Sequence, residues 1–173
     1  MIQPAIKLIN NLVVNPNFLF DRLKNIVVWD ERLKARKTAS YGVAYNYSGM
    51  TYPRTEMLPE LMPICEQINE VVGFIPNNCL LNYYADGKSS MGYHSDTSEE
   101  LKEGTGVCII SLGASRFISY RSKKDRAIEH KYLLQSGDFL YMDDCVQKDW
   151  LHAIPKQDGA GERISLTFRH IIK

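Results

Sequence analysis

Cysteine is scarce in this sequence and never paired. Cys65, Cys79, Cys108 and Cys145 lie far apart, with no Cys-x-x-Cys element. That excludes a zinc ribbon and a disulfide-stapled scaffold, and the apolar neighbours of each predict buried, reduced thiols. Long apolar runs are missing too, so no segment reaches the roughly 20 residues that a membrane-spanning helix needs. Residues 1–14 hold one lysine and a scattered apolar pattern, unlike the continuous centre of a secretion signal. Neither sign of charge is in excess: 21 Lys and Arg face 20 Asp and Glu, a net charge of +1. Proteins that grip duplex phosphates over a wide face carry a clear basic surplus, so any nucleic-acid contact here is local or led by a pocket. Repeats, low-complexity tracts and long linkers are absent. The expectation is an intracellular monomer, cytoplasmic or, in a eukaryote, nuclear, with no membrane contact.

What is present has ordinary globular composition: 173 residues, 45% hydrophobic and 24% charged. This predicts one domain over 1–173, large enough to bury a core without covalent staples. Residues 17–34 carry Phe18, Leu19, Leu23, Ile26 and Val27 at helical spacing, with Asn15 or Asn17 as cap and Pro16 at the start. Residues 58–72 repeat the pattern, with Pro59 and Pro63 near the start and Gly73 as the stop. From Cys79 onward short β-rich runs take over: 79–84, 107–112, 116–121, 130–134, 139–142 and 163–171. Turn signals such as Asp86-Gly87, Gly113-Ala114 and Ser136-Gly137-Asp138 separate them. Two helices followed by many short strands predict an α+β fold whose β part is a sandwich or jelly roll. The polar stretch 123–129 reads as a hairpin tip or solvated loop.

Only four histidines occur, and two of them stand in a telling context. His94-Ser95-Asp96 places an imidazole and a carboxylate on one face of an extended strand. With His152 they make two imidazoles and one carboxylate, a facial donor set that leaves three coordination positions open and suits non-heme Fe(II). His130 reads as an ordinary strand residue, and His170 as facing away from the site. Taken alone, His-x-Asp also fits a surface loop.

The segment from Arg163 to Arg169 alternates strictly. Arg163, Ser165, Thr167 and Arg169 share one face, and Ile164, Leu166 and Phe168 the other. Such a strand is either a solvated edge or a functional face. At about 3.3 Å per residue the two arginines stand roughly 20 Å apart, too far to share one small carboxylate without reaching toward each other. They are suited to opposite ends of a dicarboxylic acid. Asn82 and Tyr84 share a strand face opposite to Tyr83, and an amide and a phenol there can complete the hydrogen bonds to the same acid.

Taken in order, Asn82-x-Tyr84, His94-x-Asp96, His152 and the run from Arg163 to Leu166-Thr167-Phe168-Arg169 resemble the AlkB family of Fe(II)/2-oxoglutarate dioxygenases. The spacings look most like the animal enzymes that repair alkylated DNA and RNA. Arg36-Lys37-Thr38-Ala39-Ser40-Tyr41-Gly42 and Tyr45-Asn46-Tyr47-Ser48-Gly49 resemble the segment before the core of those enzymes. Ser111-Leu112-Gly113, Ser136-Gly137-Asp138 and Gln147-Lys148-Asp149-Trp150-Leu151-His152 match in order as well, so the likeness runs from Arg36 to the C-terminus.

The resemblance implies a double-stranded β-helix (jelly roll) with N-terminal helices buttressing one sheet. It implies Fe(II) held by His94, Asp96 and His152, with 2-oxoglutarate and O2 as co-substrates. By carry-over, Asn82 and Arg169 meet the iron-chelating end of 2-oxoglutarate, Tyr84 and Arg163 bind its 5-carboxylate, and Thr167 assists. The implied reaction is oxidative demethylation of alkylated bases. Tyr41 and Tyr47 would enclose the base, Arg36 would hold a flanking phosphate, and Arg116 would line the cavity. Two departures from the family pattern stand out: Thr97 follows the metal aspartate where the repair enzymes have a second carboxylate, and Ser165 replaces an asparagine. The short segment before Arg36 leaves little space for a strand-separating element, so single-stranded nucleic acid is the expected substrate. A hydroxylase of a small molecule or protein side chain is the alternative. A non-catalytic binding module is opposed by the filled metal and co-substrate positions.

Overall fold

The alternating segment near the C-terminus organises the architecture. In the computed structural model, which describes residues 2–172, it is strand β12 (Arg163–Arg169), hydrogen-bonded on both sides and buried throughout. Met1 and Lys173, the two ends of the expected domain, lie outside the described residues. The other strands are β1 (Lys7–Ile9), β2 (Lys37–Gly42), β3 (Tyr45–Tyr47), β4 (Met50–Tyr52), β5 (Asn78–Tyr84), β6 (Met91–His94), β7 (Val107–Gly113), β8 (Arg116–Ser122), β9 (Glu129–Leu134), β10 (Phe139–Met142) and β11 (Trp150–Ile154). The helices are α1 (Pro16–Ile26), α2 (Met62–Val72) and α3 (Asp144–Asp149).

A large sheet runs β1-β10-β7-β12-β5-β2 and a smaller one β6-β11-β8-β9, and every pairing is antiparallel. Two antiparallel sheets with few helices fit a jelly roll. The place of β12 between β7 and β5 overturns the solvated-edge reading, because the period-2 alternation here separates two buried faces. Ile164, Leu166 and Phe168 join Leu23, Ile64, Ile68 and Leu81 in a core beneath α1 and α2. Each such fully buried side chain contributes about 1.5–3 kcal/mol. Val107, Ile109, Ile118, Tyr120, Leu140 and Ile154 form a second core from strands of both sheets.

Helix α1 is shorter than expected and stops at Ile26 rather than Lys34. The β-branched pair Val27-Val28 favours extended backbone, and Val27 adopts it. Asp30 then bridges to Thr38 through two backbone hydrogen bonds of 2.8 and 3.0 Å, which commits the chain to β2. Asn15 is the N-cap through its position alone, for its side chain makes no capping bond. Helix α2 follows a single 3-10 turn over Pro59–Leu61 and ends at Gly73, whose φ of 81° is the left-handed stop expected of it. Cys65, Cys79 and Cys108 are buried thiols, but Cys145 is exposed on the first turn of α3. The 123–129 stretch joins β8 to β9 as a hairpin loop, with Lys124 paired to Asp149.

Gly113 closes β7 at φ +87°, where a Cβ would stand 2.5 Å from the Glu162 carbonyl oxygen and 2.9 Å from the Phe20 ring. Gly113→Ala is therefore expected to destabilise the fold by about 2–3 kcal/mol, read from urea denaturation midpoints. A cost under a few tenths would show that backbone and ring move aside freely.

Candidate metal centre and cavity

His94 ends β6 and His152 lies directly opposite it on β11, so the ladder register itself brings the rings to a centroid distance of 4.3 Å. Asp96 is not on the strand as expected, because β6 stops at His94. It sits on the irregular segment that follows, held by a backbone N–H that donates to Gln147 Oε1 at 2.9 Å. Its Oδ1 lies 4.0 Å from His94 Nε2 and its Oδ2 3.7 Å from His152 Nε2. One donor atom from each of the three residues lies within 4.8 Å of the others, a cluster able to hold a metal ion. His94 Nδ1 is 2.9 Å from the Gly92 carbonyl, which orients the ring and leaves Nε2 for the cluster. Gln147 stands in a segment that matches the family, but its role was not legible in the sequence. It is a polar residue of a short helix, and only the packing of α3 against the Asp96 segment reveals its role.

Burial pushes the Asp96 carboxyl up, but Arg169, whose Nη2 donates to Oδ1 at 2.9 Å, and then the two imidazoles outweigh it and hold it at about 2. Burial drives His152 down to about 4 against the pull of Asp96. His152 is thus neutral in the fold, as a metal ligand must be. The sign for stability follows: the unfolded chain takes up a proton near pH 6.5 and the folded one only near 4. The chelator-treated protein should lose stability as pH falls from about 6.5 to about 4. His152→Gln should flatten that part of the curve, measured by thermal unfolding; equal slopes would contradict the assignment.

Between the sheets lies a narrow cavity, lined among others by Asn82, Tyr84, Thr167 and Arg169, with His94, Asp96 and His152 at one side. The Arg163 guanidinium lies 5.1 Å from the Tyr84 ring centroid and is fully buried. Its Nε donates to Ser111 Oγ at 2.8 Å, while Nη1 and Nη2 have no partner. Burial lowers it to about 10. Arg169 likewise keeps Nε and Nη1 unpaired. Buried donors without acceptors are costly. Arg169 lines the chamber and Arg163 lies beside Tyr84, which lines it too, so the two cationic forks suit the two carboxylates of a dicarboxylic acid. The residues present therefore fit both a metal and 2-oxoglutarate.

The remaining candidates divide. Tyr47 on β3 lines both this cavity and its wider mouth, where Tyr45, Tyr93 and His94 join it. Tyr41 packs against the helix-side core, on the far face of the large sheet from the metal cluster. The period of β2 turns it away from any base. Arg36 lines the mouth with its guanidinium already engaged: it is 9% exposed and donates from Nε to Asn82 Oδ1 at 2.8 Å, from Nη1 to Ser90 O at 3.1 Å and from Nη2 to the Tyr47 hydroxyl. Arg116 does not line the cavity. It is fully buried, and its guanidinium holds the carbonyls of Asp86, Ser89 and Pro155. His130 bonds the Ile2 carbonyl and His170 the Ile75 carbonyl, both apart from the cluster.

Comparison with known proteins agrees with this geometry. The 2OG-Fe(II) oxygenase superfamily matches residues 20–169. Alpha-ketoglutarate-dependent dioxygenase alkB homolog 3 of Rattus norvegicus is 31% identical over 90% of this chain and 59% of its own length. Uncharacterized protein R406 of Acanthamoeba polyphaga mimivirus is 30% identical over 86% and 80% respectively. DNA oxidative demethylase ALKBH2 of Bos taurus is 31% identical over 79% and 53%. The chain thus spans little more than half the length of its mammalian relatives. A solved structure described as that of OsALKBH1 superposes with a TM-score of 0.67 over 98% of this chain and all of that one, at 17% identity, a likeness of fold alone.

Proposed function

This chain belongs to the 2OG-Fe(II) oxygenase superfamily and is similar to the alkB homologs, and we propose that it is an AlkB-type dioxygenase using Fe(II), 2-oxoglutarate and O2 that oxidatively demethylates alkylated bases in single-stranded DNA or RNA. The observation that carries this reading is the mouth framed by Tyr45, Tyr47 and Tyr93 directly over His94 and Asp96. Aromatic rings in a cleft form a stacking platform for a flat base displaced from its strand. The bovine relative is named a DNA oxidative demethylase, which supports the same substrate class here. The two sheets then form a double-stranded β-helix with the iron site between them.

In this reading His94, Asp96 and His152 hold Fe(II). Arg163 and Tyr84 take the 5-carboxylate of 2-oxoglutarate, Arg169 and Asn82 meet its other end, and Thr167 lies alongside. Bound there, the two groups would supply the oxidising chemistry, spending O2 on the conversion of 2-oxoglutarate to succinate and carbon dioxide and on hydroxylation of the methyl group. The resulting N-hydroxymethyl base splits into formaldehyde and a ring N–H. Leu80, Ile109 and Ile154 line the chamber and exclude water, and Arg169 keeps Asp96 ionised for the metal. Single-stranded substrate is favoured because Arg36, Arg116, Arg163 and Arg169 are buried, which leaves no basic surplus outside to grip a duplex.

The same charge balance favours a second reading, hydroxylation of a small molecule or protein side chain. Formaldehyde release from methylated single-stranded oligonucleotides, set against succinate formation with free nucleosides, metabolites and peptides, separates the two. Succinate without formaldehyde from every oligonucleotide would overturn the first.

A further inference from the structure

We infer that the mouth of this site selects neutral, carbonyl-bearing methylated bases and disfavours cationic ones. This rests on the demethylase reading and names the substrate class within it. Tyrosine faces ordinarily attract a cation through their ring quadrupole. Here each mouth tyrosine already bears a guanidinium: Arg169 lies 4.9 Å from the Tyr45 ring centroid, Arg36 5.6 Å from Tyr47 and Arg121, itself paired with Glu129 at 3.0 Å, 3.8 Å from Tyr93. The rings are therefore electrostatically occupied before a base arrives.

Buried charge points the same way. Arg36, Arg116, Arg163 and Arg169 are buried, and Arg36 and Arg116 donate to an amide, a phenol and backbone carbonyls rather than to carboxylates. Asp96 is the one carboxylate lining the mouth, and it is tied to Arg169 and turned to the imidazoles. Glu99 lines a neighbouring groove with Lys123 and Lys148, and Glu100 acts on Tyr45 electrostatically without lining the mouth. The Arg169–Asp96 and Arg121–Glu129 pairs are neutral, and the dication balances its dianionic co-substrate, which leaves Arg36 and Arg163 as cations bonded to no protein carboxylate. A cationic ring brought over Arg36, which lines the mouth, meets like charge at close range. A neutral ring with carbonyl edges meets instead the Asn46 amide and the hydroxyls of Ser48, Ser95 and Thr97, all of which line the mouth.

The test uses four single-stranded oligonucleotides of one sequence. Two carry neutral lesions, N1-methylguanine and N3-methylthymine, and two carry cationic ones, N1-methyladenine and N3-methylcytosine. Formaldehyde release should give kcat/KM values about tenfold or more in favour of the neutral pair. The metal-free protein should show the same order in fluorescence-anisotropy binding. Thr97→Asp, on an exposed position of the mouth, should shift the ratio toward the cationic pair by about tenfold, and Thr97→Asn should not. A preference for the cationic pair, or a ratio unmoved by Thr97→Asp, would overturn the inference and leave the demethylase reading standing. If none of the four is turned over while a small molecule or peptide is, the demethylase reading fails and takes this inference with it.

Discussion

Arg163→Met is expected to raise the KM for 2-oxoglutarate by about 100-fold while leaving the metal-free, ligand-free fold as stable as before or more so. The two effects have one cause. Nη1 and Nη2 are fully buried without acceptors, so the ligand-free protein bears the desolvation cost of an unpaired cation. A carboxylate completing two charge-assisted bonds is worth about 3 kcal/mol, which is the factor of about 100. Methionine fills similar volume without the charge, and the stabilisation that 2-oxoglutarate gives in thermal unfolding should vanish. Arg163→Lys should fall between, since an ammonium cannot present the planar fork. An unchanged KM would remove Arg163 from the co-substrate site.

Asp96→Asn should abolish Fe(II)-dependent turnover and, unlike the first variant, also destabilise the protein, by about 3–5 kcal/mol. The carboxylate is almost fully buried and balances the Arg169 guanidinium at 2.9 Å. Without it that cation stands unpaired beside two imidazoles. Arg169→Met in the same chain should recover most of the stability and none of the turnover, because only the ion pair and not the metal ligand is repaired. If the single variant kept its stability, the buried pair would be doing little for the fold. If it kept turnover, Asp96 would not be a ligand.

The character of β12 shows how far composition and pattern reach. Strict alternation from Arg163 to Arg169 placed the two arginines on one face with Ser165 and Thr167, and the structure keeps that separation. The side-chain period of a strand is a local property, so it is readable from sequence. The same holds for α2 and its Gly73 stop, and for the opposed faces of Tyr83 and Tyr84, which lie in different cores. Strands β6 and β11 were harder. Met91–His94 is short and contains Gly92, and Trp150–Ile154 is a brief apolar run beside a helix. Neither signals a strand until each has the other to pair with.

By itself, the sequence determined the candidate set, two imidazoles, one carboxylate and two alternating arginines, in an order that resembles one family. Only the tertiary structure decided how they are used. It set His152 opposite His94 by ladder register, supplied Gln147 to fix Asp96, and consumed Arg36 and Arg116 in internal bonds. It also turned Tyr41 into the helix-side core and put a guanidinium on each tyrosine of the mouth. Those outcomes depend on which distant segments meet, and a buried charge takes whatever partner the packing brings within reach.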